Sequence, residues 1–180
     1  MAVVIVGGQT RSVGKTSVAC GLIAAIPEGQ WTAVKLSAHG HTETVQVLEE
    51  KRAGHGNDSE RYLTAGAVRS YFISAPVGGM WRAIPKLLDI LAEAKNAMVE
   101  STGALEYLRP ELALVVVDPA GKTMKRSLRR MMGRFDGVVS SGEGPLGGAL
   151  KELEAKPRFV VSPPEYGSLS LTAFVRNALK

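Results

Sequence analysis

The sequence predicts an α/β fold with a doubly wound, mostly parallel sheet. Short apolar runs, many of them rich in valine, alternate with helical patterns along the whole chain. Polar residues gather directly after several of these runs, where the predicted strands end. No linker, internal repeat or low-complexity tract interrupts the alternation, so we expect a single domain over residues 1–180.

Continuous apolar runs, typical of strands buried on both faces, define most of the predicted sheet. The predicted strands are 2–6, 31–36, 70–74, 97–99, 112–117, 137–140 and 158–162. Helices are predicted at 16–26, 44–52 and 58–66, and in a segment that ends near 95. Ligands of such folds bind at the carboxyl ends of the strands, where the polar residues gather.

Residues 7–16 have the composition of a phosphate-binding loop. Gly7 and Gly8 end the first predicted strand, and Gly14, Lys15 and Thr16 open the first predicted helix. Amides of such a loop and of the helix N-terminus bind phosphate oxygens. Lys15 would reach the β- and γ-phosphates, and the Thr16 hydroxyl would ligate Mg²⁺.

The spacing of this loop differs from the usual motif. Five residues, 9–13, separate Gly8 from Gly14, where the common pattern has four. The alternative is a glycine-rich turn that caps a helix. We expect Lys15 to face solvent in the free loop. The predicted nucleotide-binding residues are Gly8, Thr10, Arg11, Ser12, Val13, Gly14, Lys15, Thr16 and Ser17.

Acidic residues near the predicted strand ends are candidates for holding magnesium. Mg²⁺ that accompanies a nucleotide needs a hydroxyl and usually one or two carboxylates. Glu100 and Asp118 each follow an apolar strand. Capping a turn is the alternative role for both of them, and capping a helix is the alternative role for Asp58.

Lys35 ends the second predicted strand and should lie on the same edge of the sheet as Lys15. A second lysine there would stabilise negative charge on a transferring phosphoryl group or bind an anionic substrate. The alternative is an exposed lysine at a strand end. His39, His41 and His55 allow a zinc interpretation, but no cysteine lies nearby and loop histidines are favoured.

The net charge of +5 is concentrated in residues 122–134, where six basic residues occur without an acid. A helical apolar stripe runs through this segment, so its other face should be basic. Such a face could attract an acidic protein or a nucleotide, although a solvated cationic face is the alternative. Nucleic acid is weakly supported because no aromatic residue interleaves the basic ones before Phe135.

Composition favours a cytosolic protein without a membrane span. No apolar stretch approaches the roughly 20 residues that a bilayer requires. The N-terminal apolar run has no basic region before it, so a signal peptide is not expected. The only cysteine, Cys20, lies in the first predicted helix, where a small buried apolar role is expected.

The loop resembles that of the dethiobiotin synthetases, which share the five-residue spacing and end in Val-Gly-Lys-Thr. Those enzymes belong to the P-loop class that includes signal-recognition and MinD-type NTPases (the SIMIBI class). Residues 99–103, Val-Glu-Ser-Thr-Gly, are similar to their Val-Glu-Gly-Ala-Gly segment, which implies that Glu100 binds Mg²⁺. Asp58 is placed like the second carboxylate ligand of that family, and Lys35 like its catalytic lysine.

Residues 58–67 resemble the Asp-Ser-x-Arg-x-x-x-Ala-Gly-Ala stretch of the molybdopterin-guanine dinucleotide biosynthesis adapters, the MobB family. Proteins of that family are small, dimeric and GTP-binding, with weak hydrolysis. The chain has Gln9, Thr10 and Arg11 where the dethiobiotin loop has Thr-Asp-Thr, and Leu36 replaces the proline after the strand-two lysine. No Asn-Lys-x-Asp guanine motif is present, so Ser140, Ser141 and residues 162–164 are only positional candidates for the base pocket.

These resemblances imply a P-loop protein that binds ATP or GTP with Mg²⁺. Slow hydrolysis in an adapter of molybdenum cofactor biosynthesis is the leading interpretation, with a homodimer expected. An ATP-dependent ligase or carboxylase acting on a small acidic substrate is the second. The third is a non-catalytic module, switched by nucleotide, whose basic helix docks an acidic protein. In the first two, Lys15 and Lys35 are the catalytic residues, and Thr16, Asp58 and Glu100 hold the metal.

Overall fold

A computed structural model describes residues 1–40 and 43–180, and the strands among them form one sheet. The strands are β1 (Ala2–Gly8), β2 (Trp31–Gly40), β3 (Gln46–Glu50), β4 (Arg69–Pro76), β5 (Asn96–Glu100), β6 (Leu112–Val117), β7 (Gly137–Ser140) and β8 (Arg158–Val160). Their order across the sheet is β3-β4-β2-β5-β1-β6-β7-β8. All neighbouring strands run parallel except β3, which pairs antiparallel with β4.

Helices cover both faces of the sheet. They are α1 (Lys15–Ala25), α2 (Asp58–Thr64), α3 (Met80–Ala92), α4 (Arg126–Met131) and α5 (Leu169–Ala178). Short 3₁₀ turns lie at Pro27–Gly29, Gly103–Glu106, Met132–Arg134 and Gly148–Leu153. One apolar core contains residues of α1, α2 and α5, and a second contains residues of α3 and α4. The predicted doubly wound, mostly parallel sheet is therefore confirmed.

The strand order brings three functional segments together. β1 lies between β5 and β6, and β5 lies between β1 and β2. Lys35 in β2 is the register partner of Glu100 in β5, and Glu100 is in turn the partner of Val6 in β1. The carboxyl ends of β1, β2 and β5 therefore meet at one edge, as expected for a ligand-binding parallel sheet.

The prediction of a helix at residues 44–52 is wrong, because this segment contains the strand β3. Backbone pairing with β4 sets Val47 opposite Ile73 and Leu48 opposite Phe72. Both Val47 and Leu48 are largely exposed, so no buried face selects a helix here. The hydrogen bonds to β4 at the edge of the sheet determine the conformation of this segment. The spacing of its apolar residues does not reveal that pairing.

Other boundaries differ by a few residues. β2 continues to Gly40 and β4 ends at Pro76, while β8 ends at Val160, before the predicted 162. In the basic segment the α-helix spans Arg126–Met131 and continues as a 3₁₀ turn. Its apolar stripe is present, since Leu128 and Met132 are buried and Met124 and Met131 pack against the same core. Within the described ranges, the longest helices are too short or too polar to cross a membrane.

Candidate functional site

The segment between β1 and α1 is a compact loop with two residues in the left-handed region. Ser12 has φ 58° and Gly14 has φ 100°, a conformation that costs glycine least. Gly14 is also the residue at the N-cap of α1, where it offers no side chain to the helix amides. The first turn of α1 therefore presents its amides without a capping oxygen from that residue.

Gly8 allows Lys15 to fold back over the end of β1. A Cβ atom at Gly8 would lie 2.7 Å from both Cγ and Cδ of Lys15. The Lys15 Nζ donates to the Thr10 carbonyl at 3.3 Å and lies 3.8 Å from Glu100 Oε1. Only 13% of this side chain is exposed, so the expectation that Lys15 faces solvent is wrong. Burial lowers the pKa of Lys15, and the Glu100 charge opposes that shift.

Glu100 lies at the centre of the site and is 4% exposed. Its Oε2 accepts a hydrogen bond of 2.6 Å from the Thr16 hydroxyl. The same oxygen accepts a bond from the hydroxyl of Tyr62, which is itself buried. Burial, together with the Glu100 charge, raises the pKa of Tyr62, so this hydroxyl remains a donor. Sequence reasoning missed Tyr62, because its contact spans 38 residues.

Lys35 joins the two predicted acidic ligands. Its Nζ donates to Asp58 and lies 3.6 Å from Glu100 Oε1. Arg61 approaches the other Asp58 oxygen at 3.5 Å and donates to the Ser17 hydroxyl at 3.0 Å. Burial raises the pKa of Asp58, but the hydrogen bond and charge of Lys35, with smaller contributions from Thr16 and Arg61, hold the pKa below its usual range. Asp58 is therefore an ionised anchor for Lys35.

The helix cap is Asn57 and not Asp58, which corrects the capping role considered for Asp58. The Asn57 side chain accepts from the Glu60 amide at 3.0 Å. Asp58 is the first helical residue, and its carboxylate is left to meet Lys35. Local sequence does not distinguish which of these two adjacent polar residues caps the helix, since asparagine and aspartate are both favoured at that position.

Asp118 does not join the site. Its carboxylate accepts from the Ala120 amide at 2.9 Å and closes a turn after β6, the alternative role considered for it. Ser140, a candidate for the base pocket, is fully buried; it donates to the Gly142 carbonyl and accepts from Arg158. His41 lies outside the described residues, so the zinc interpretation that includes it stays untested.

A cavity of about 860 Å³ opens above these groups. Predicted residues that line it are Arg11, Ser12, Gly14, Lys15, Thr16, Ser17, Lys35, Asp58 and Glu100. Among the predicted loop residues, Val13 packs against the core beside Gly8, and Thr10 contributes its carbonyl to Lys15. The cavity also contains Lys125 and Arg130 from the basic segment, which sequence reasoning did not assign to the site.

The donor set fits a magnesium ion that arrives with a nucleotide. The Thr16 hydroxyl and the buried Glu100 carboxylate are in direct contact. Lys35 contacts both Glu100 and Asp58, so the second carboxylate belongs to the same cluster. The described residues hold no group of three or more His, Cys, Asp or Glu side chains suited to binding a metal by themselves. Magnesium in such a place takes its other ligands from phosphate and water oxygens, as nucleotide-associated Mg²⁺ does.

No protein-family model matches the sequence, and no curated protein matches it. Solved structures do resemble the fold. LpxK from Aquifex aeolicus, solved in complex with ATP, superposes with a TM-score of 0.55 and 16% identity over 89% of this chain. The chain spans about half of that structure, 53%.

Two further structures match over nearly the whole chain. A MobB protein homolog from Bacillus stearothermophilus gives a TM-score of 0.50 at 17% identity, covering 99% of this chain and 98% of its own. HypB from Helicobacter pylori, solved in complex with nickel, gives 0.54 at 13% identity, covering 98% and 86%. LpxK, the MobB homolog and HypB are P-loop NTPases, and the chain has the P-loop NTPase fold.

Proposed function

We propose that the protein binds a nucleoside triphosphate with Mg²⁺ and hydrolyses it slowly. The observation that carries this proposal is the convergence of Lys15, Thr16, Lys35 and Glu100 beside an uncapped helix N-terminus. Cations, a hydroxyl and one buried carboxylate at a glycine loop are the groups that phosphoryl-transfer sites require.

Each group has a distinct role in this proposal. The loop amides and Lys15 bind the β- and γ-phosphates, and Thr16 with Glu100 and Asp58 holds the magnesium ion. Magnesium, when bound, neutralises charge on the phosphate oxygens. Tyr62 fixes the orientation of Glu100 by donating to the oxygen that also contacts Thr16.

Lys35 supplies a second positive charge beside Glu100. Its contacts with Asp58 and Glu100 hold the ammonium group in place before any substrate arrives. A preorganised cation costs little reorganisation as charge moves on to the transferring phosphoryl oxygens. We therefore propose that Lys35 acts mainly in the transition state.

The proposal of slow turnover is supported by the hydrogen bonds and ion pairs that the carboxylates of the cavity already make. Of the carboxylates that line the cavity, Glu100 accepts from two hydroxyls, Asp58 pairs with Lys35 and Arg61, and Glu106 pairs with Arg130. A general base must be free to accept a proton from the attacking water. Within the described part of the chain, the cavity acids are all engaged, which favours weak hydrolysis.

An adapter role near molybdenum cofactor biosynthesis is the finer proposal. It is supported by the resemblance of residues 58–67 to the MobB family. The MobB homolog shares the fold of this chain. The choice between ATP and GTP remains part of the proposal, and both nucleotides belong in the test.

A ligase of dethiobiotin type is the second candidate, and the extent of the cavity favours it. The cavity continues beyond the phosphate loop to Tyr107, Ser127 and Arg130. That part is polar and partly cationic, and a small acidic co-substrate would fit its chemistry. Phosphate release that requires such a co-substrate would distinguish a ligase from an adapter.

Thermal-shift measurements with ATP, GTP, ADP and GDP, each with and without Mg²⁺, test the proposal. A nucleotide at 100 times its dissociation constant should stabilise the protein by about 2.7 kcal/mol. Lys15→Ala should abolish that shift for triphosphates while the unliganded melting curve stays cooperative. An unchanged affinity of the Lys15→Ala variant, measured by calorimetry, would show that the phosphate-loop assignment is wrong.

A further inference from the structure

Gln9, the first residue of the loop after β1, is almost completely buried, with 1% of its surface exposed. Its side-chain nitrogen donates to the carbonyls of Gly121 and Thr123, at 3.1 and 2.9 Å. Its side-chain oxygen accepts from the Asp118 amide at 2.8 Å. A buried amide with these partners fixes the segment after β6, residues 118–125, against the loop.

Main-chain bonds complete the attachment. The Gln9 amide donates to the Val116 carbonyl at 2.9 Å, and the Lys125 amide donates to the Gln9 carbonyl at 2.9 Å. A Cβ atom at Gly121 would lie 2.7 Å from the Gln9 side-chain nitrogen, so any side chain there would displace the Gln9 amide from its present position. The segment 118–125 is thus bound to the loop at both of its ends, and we call this set of contacts the Gln9 brace.

The Gln9 brace places Lys125 at the cavity above Lys15 and Glu100, which we call the phosphate cavity. Lys125 stands immediately before α4 and lines the same cavity as Lys15 and Arg11. The ion pairs of the described residues that line the cavity are Lys15–Glu100, Lys35–Asp58, Lys35–Glu100, Arg61–Asp58 and Arg130–Glu106. Lys125 belongs to none of these pairs.

An unpaired, partly buried ammonium group beside other cations is unfavourable unless a ligand brings negative charge. Burial first, and then the charges of Lys15 and Arg11, lower the pKa of Lys125 to about 8. The ligand that relieves this repulsion must be an anion that reaches Lys15 as well. In the proposed function, a triphosphate is the anion that meets this requirement.

We propose that Lys125, held by the Gln9 brace, binds the terminal phosphate of the bound nucleoside triphosphate. This inference rests on the proposed function and adds to it a phosphate-binding lysine from outside the phosphate loop. It also gives the protein a means to distinguish triphosphate from diphosphate, since only the triphosphate carries the group that Lys125 contacts.

The test compares Lys125→Met with Lys122→Met. Lys122 is an exposed lysine in the same segment, and it does not line the phosphate cavity. Affinities of each variant for ATP, ADP, GTP and GDP with Mg²⁺ are measured by calorimetry. Lys125→Met should weaken triphosphate binding about 10-fold or more, the effect of losing one charged hydrogen bond, and diphosphate binding much less. Lys122→Met should leave both affinities unchanged.

Lys125→Arg keeps the charge and should restore most of the triphosphate affinity. The proposal is overturned if Lys125→Met binds triphosphate like Lys122→Met, or if it loses ATP and ADP affinity equally. A wild-type protein that binds neither triphosphate would refute the proposed function itself, and this inference with it, whereas the other outcomes leave the Lys15 assignment intact.

Discussion

Glu100 is the side chain on which the proposed metal site depends. Glu100→Gln keeps the size of the residue but removes the charge that faces Thr16, Lys15 and Lys35. We expect Mg²⁺-dependent turnover to fall by about 10²-fold, the upper range for disturbing a metal environment. Asp118→Asn is the matched control, because that carboxylate closes a turn outside the cavity. Equal losses in the two variants, in steady-state phosphate release, would move the metal site to the end of β6.

Lys35 separates a transition-state role from simple binding. Lys35→Ala should reduce single-turnover hydrolysis by roughly 10²-fold while nucleotide affinity changes little, because its charge is needed most as the phosphoryl group transfers. Lys35→Arg keeps the charge but not the compact ammonium geometry that fits between Asp58 and Glu100, so it should rescue only in part. A hydrolysis rate for Lys35→Ala close to wild type would favour the non-catalytic module.

Lys125 should make triphosphate binding sensitive to pH. Burial, followed by the charges of Lys15 and Arg11, lowers its pKa from the ordinary 10.5 to about 8; Lys35 adds to this shift, and Glu100 opposes it. Between these two values the unfolded chain holds a proton that the folded protein has lost, so this group makes stability rise with pH there. Phosphate favours the protonated amine, so binding has the opposite sign.

Calorimetry at pH 7, 8 and 9 measures this dependence. The dissociation constant for the triphosphate should rise by up to about 10-fold across that range, as one protonated lysine is lost. Lys125→Met should flatten the profile. A wild-type profile that is already flat would contradict the expected link between Lys125 and the phosphate.

At the scale of elements, the cap of α2 links stability to the site. Asn57→Ala removes the side chain that accepts from the Glu60 amide and should cost about 1 kcal/mol, or roughly 2–4 °C in melting temperature. Asp58 is the residue directly after Asn57, so loss of the cap should weaken the ion pair between Asp58 and Lys35 and slow hydrolysis. Ser168→Ala removes the corresponding cap of α5, whose hydroxyl accepts from the Leu171 amide.

Circular dichroism melts and hydrolysis assays on the two cap variants check this prediction together. Ser168→Ala should lose similar stability without slowing hydrolysis, since α5 does not line the cavity. A hydrolysis rate that fell equally in both variants would mean that general loosening is responsible, and not the position of Asp58.

Elements that carry their own signal were predictable. β1 and β6 are continuous apolar runs buried along their whole length, so local sequence identifies them. β3 was not predictable, because its exposed residues are held by backbone pairing with β4 and not by a buried face. Long-range pairing can override local helix or strand preference.

The same reasoning divides the site residues. Lys15 and Thr16 belong to a local motif, and Lys35 and Glu100 end recognisable strands, so topology alone predicts that they converge. Tyr62 and Gln9 act through hydrogen bonds to residues 38 and more than 100 positions away. Their roles depend on packed geometry that no local pattern contains.

For the whole molecule, the sheet order determines how the site is shared between the two apolar cores. The loop after β1 leads into α1 in one core, and the segment that carries Lys125 leads into α4 in the other. β1 and β6, which pair along five residues, join the two halves. The cavity therefore forms only when both layers are packed, so its integrity should follow global unfolding.

The Gln9 brace has a consequence for motion that amide hydrogen exchange can detect. The Asp118 and Lys125 amides both donate hydrogen bonds to Gln9. Neither amide can exchange with deuterium until its bond to Gln9 breaks, which separates the loop from the segment 118–125. We expect these two amides to be protected from exchange to a similar degree, and to become more protected together when nucleotide restrains the loop. Deuterium uptake at Asp118 and Lys125, more than 100 residues from Gln9 in the sequence, would thus report local opening of the loop after β1.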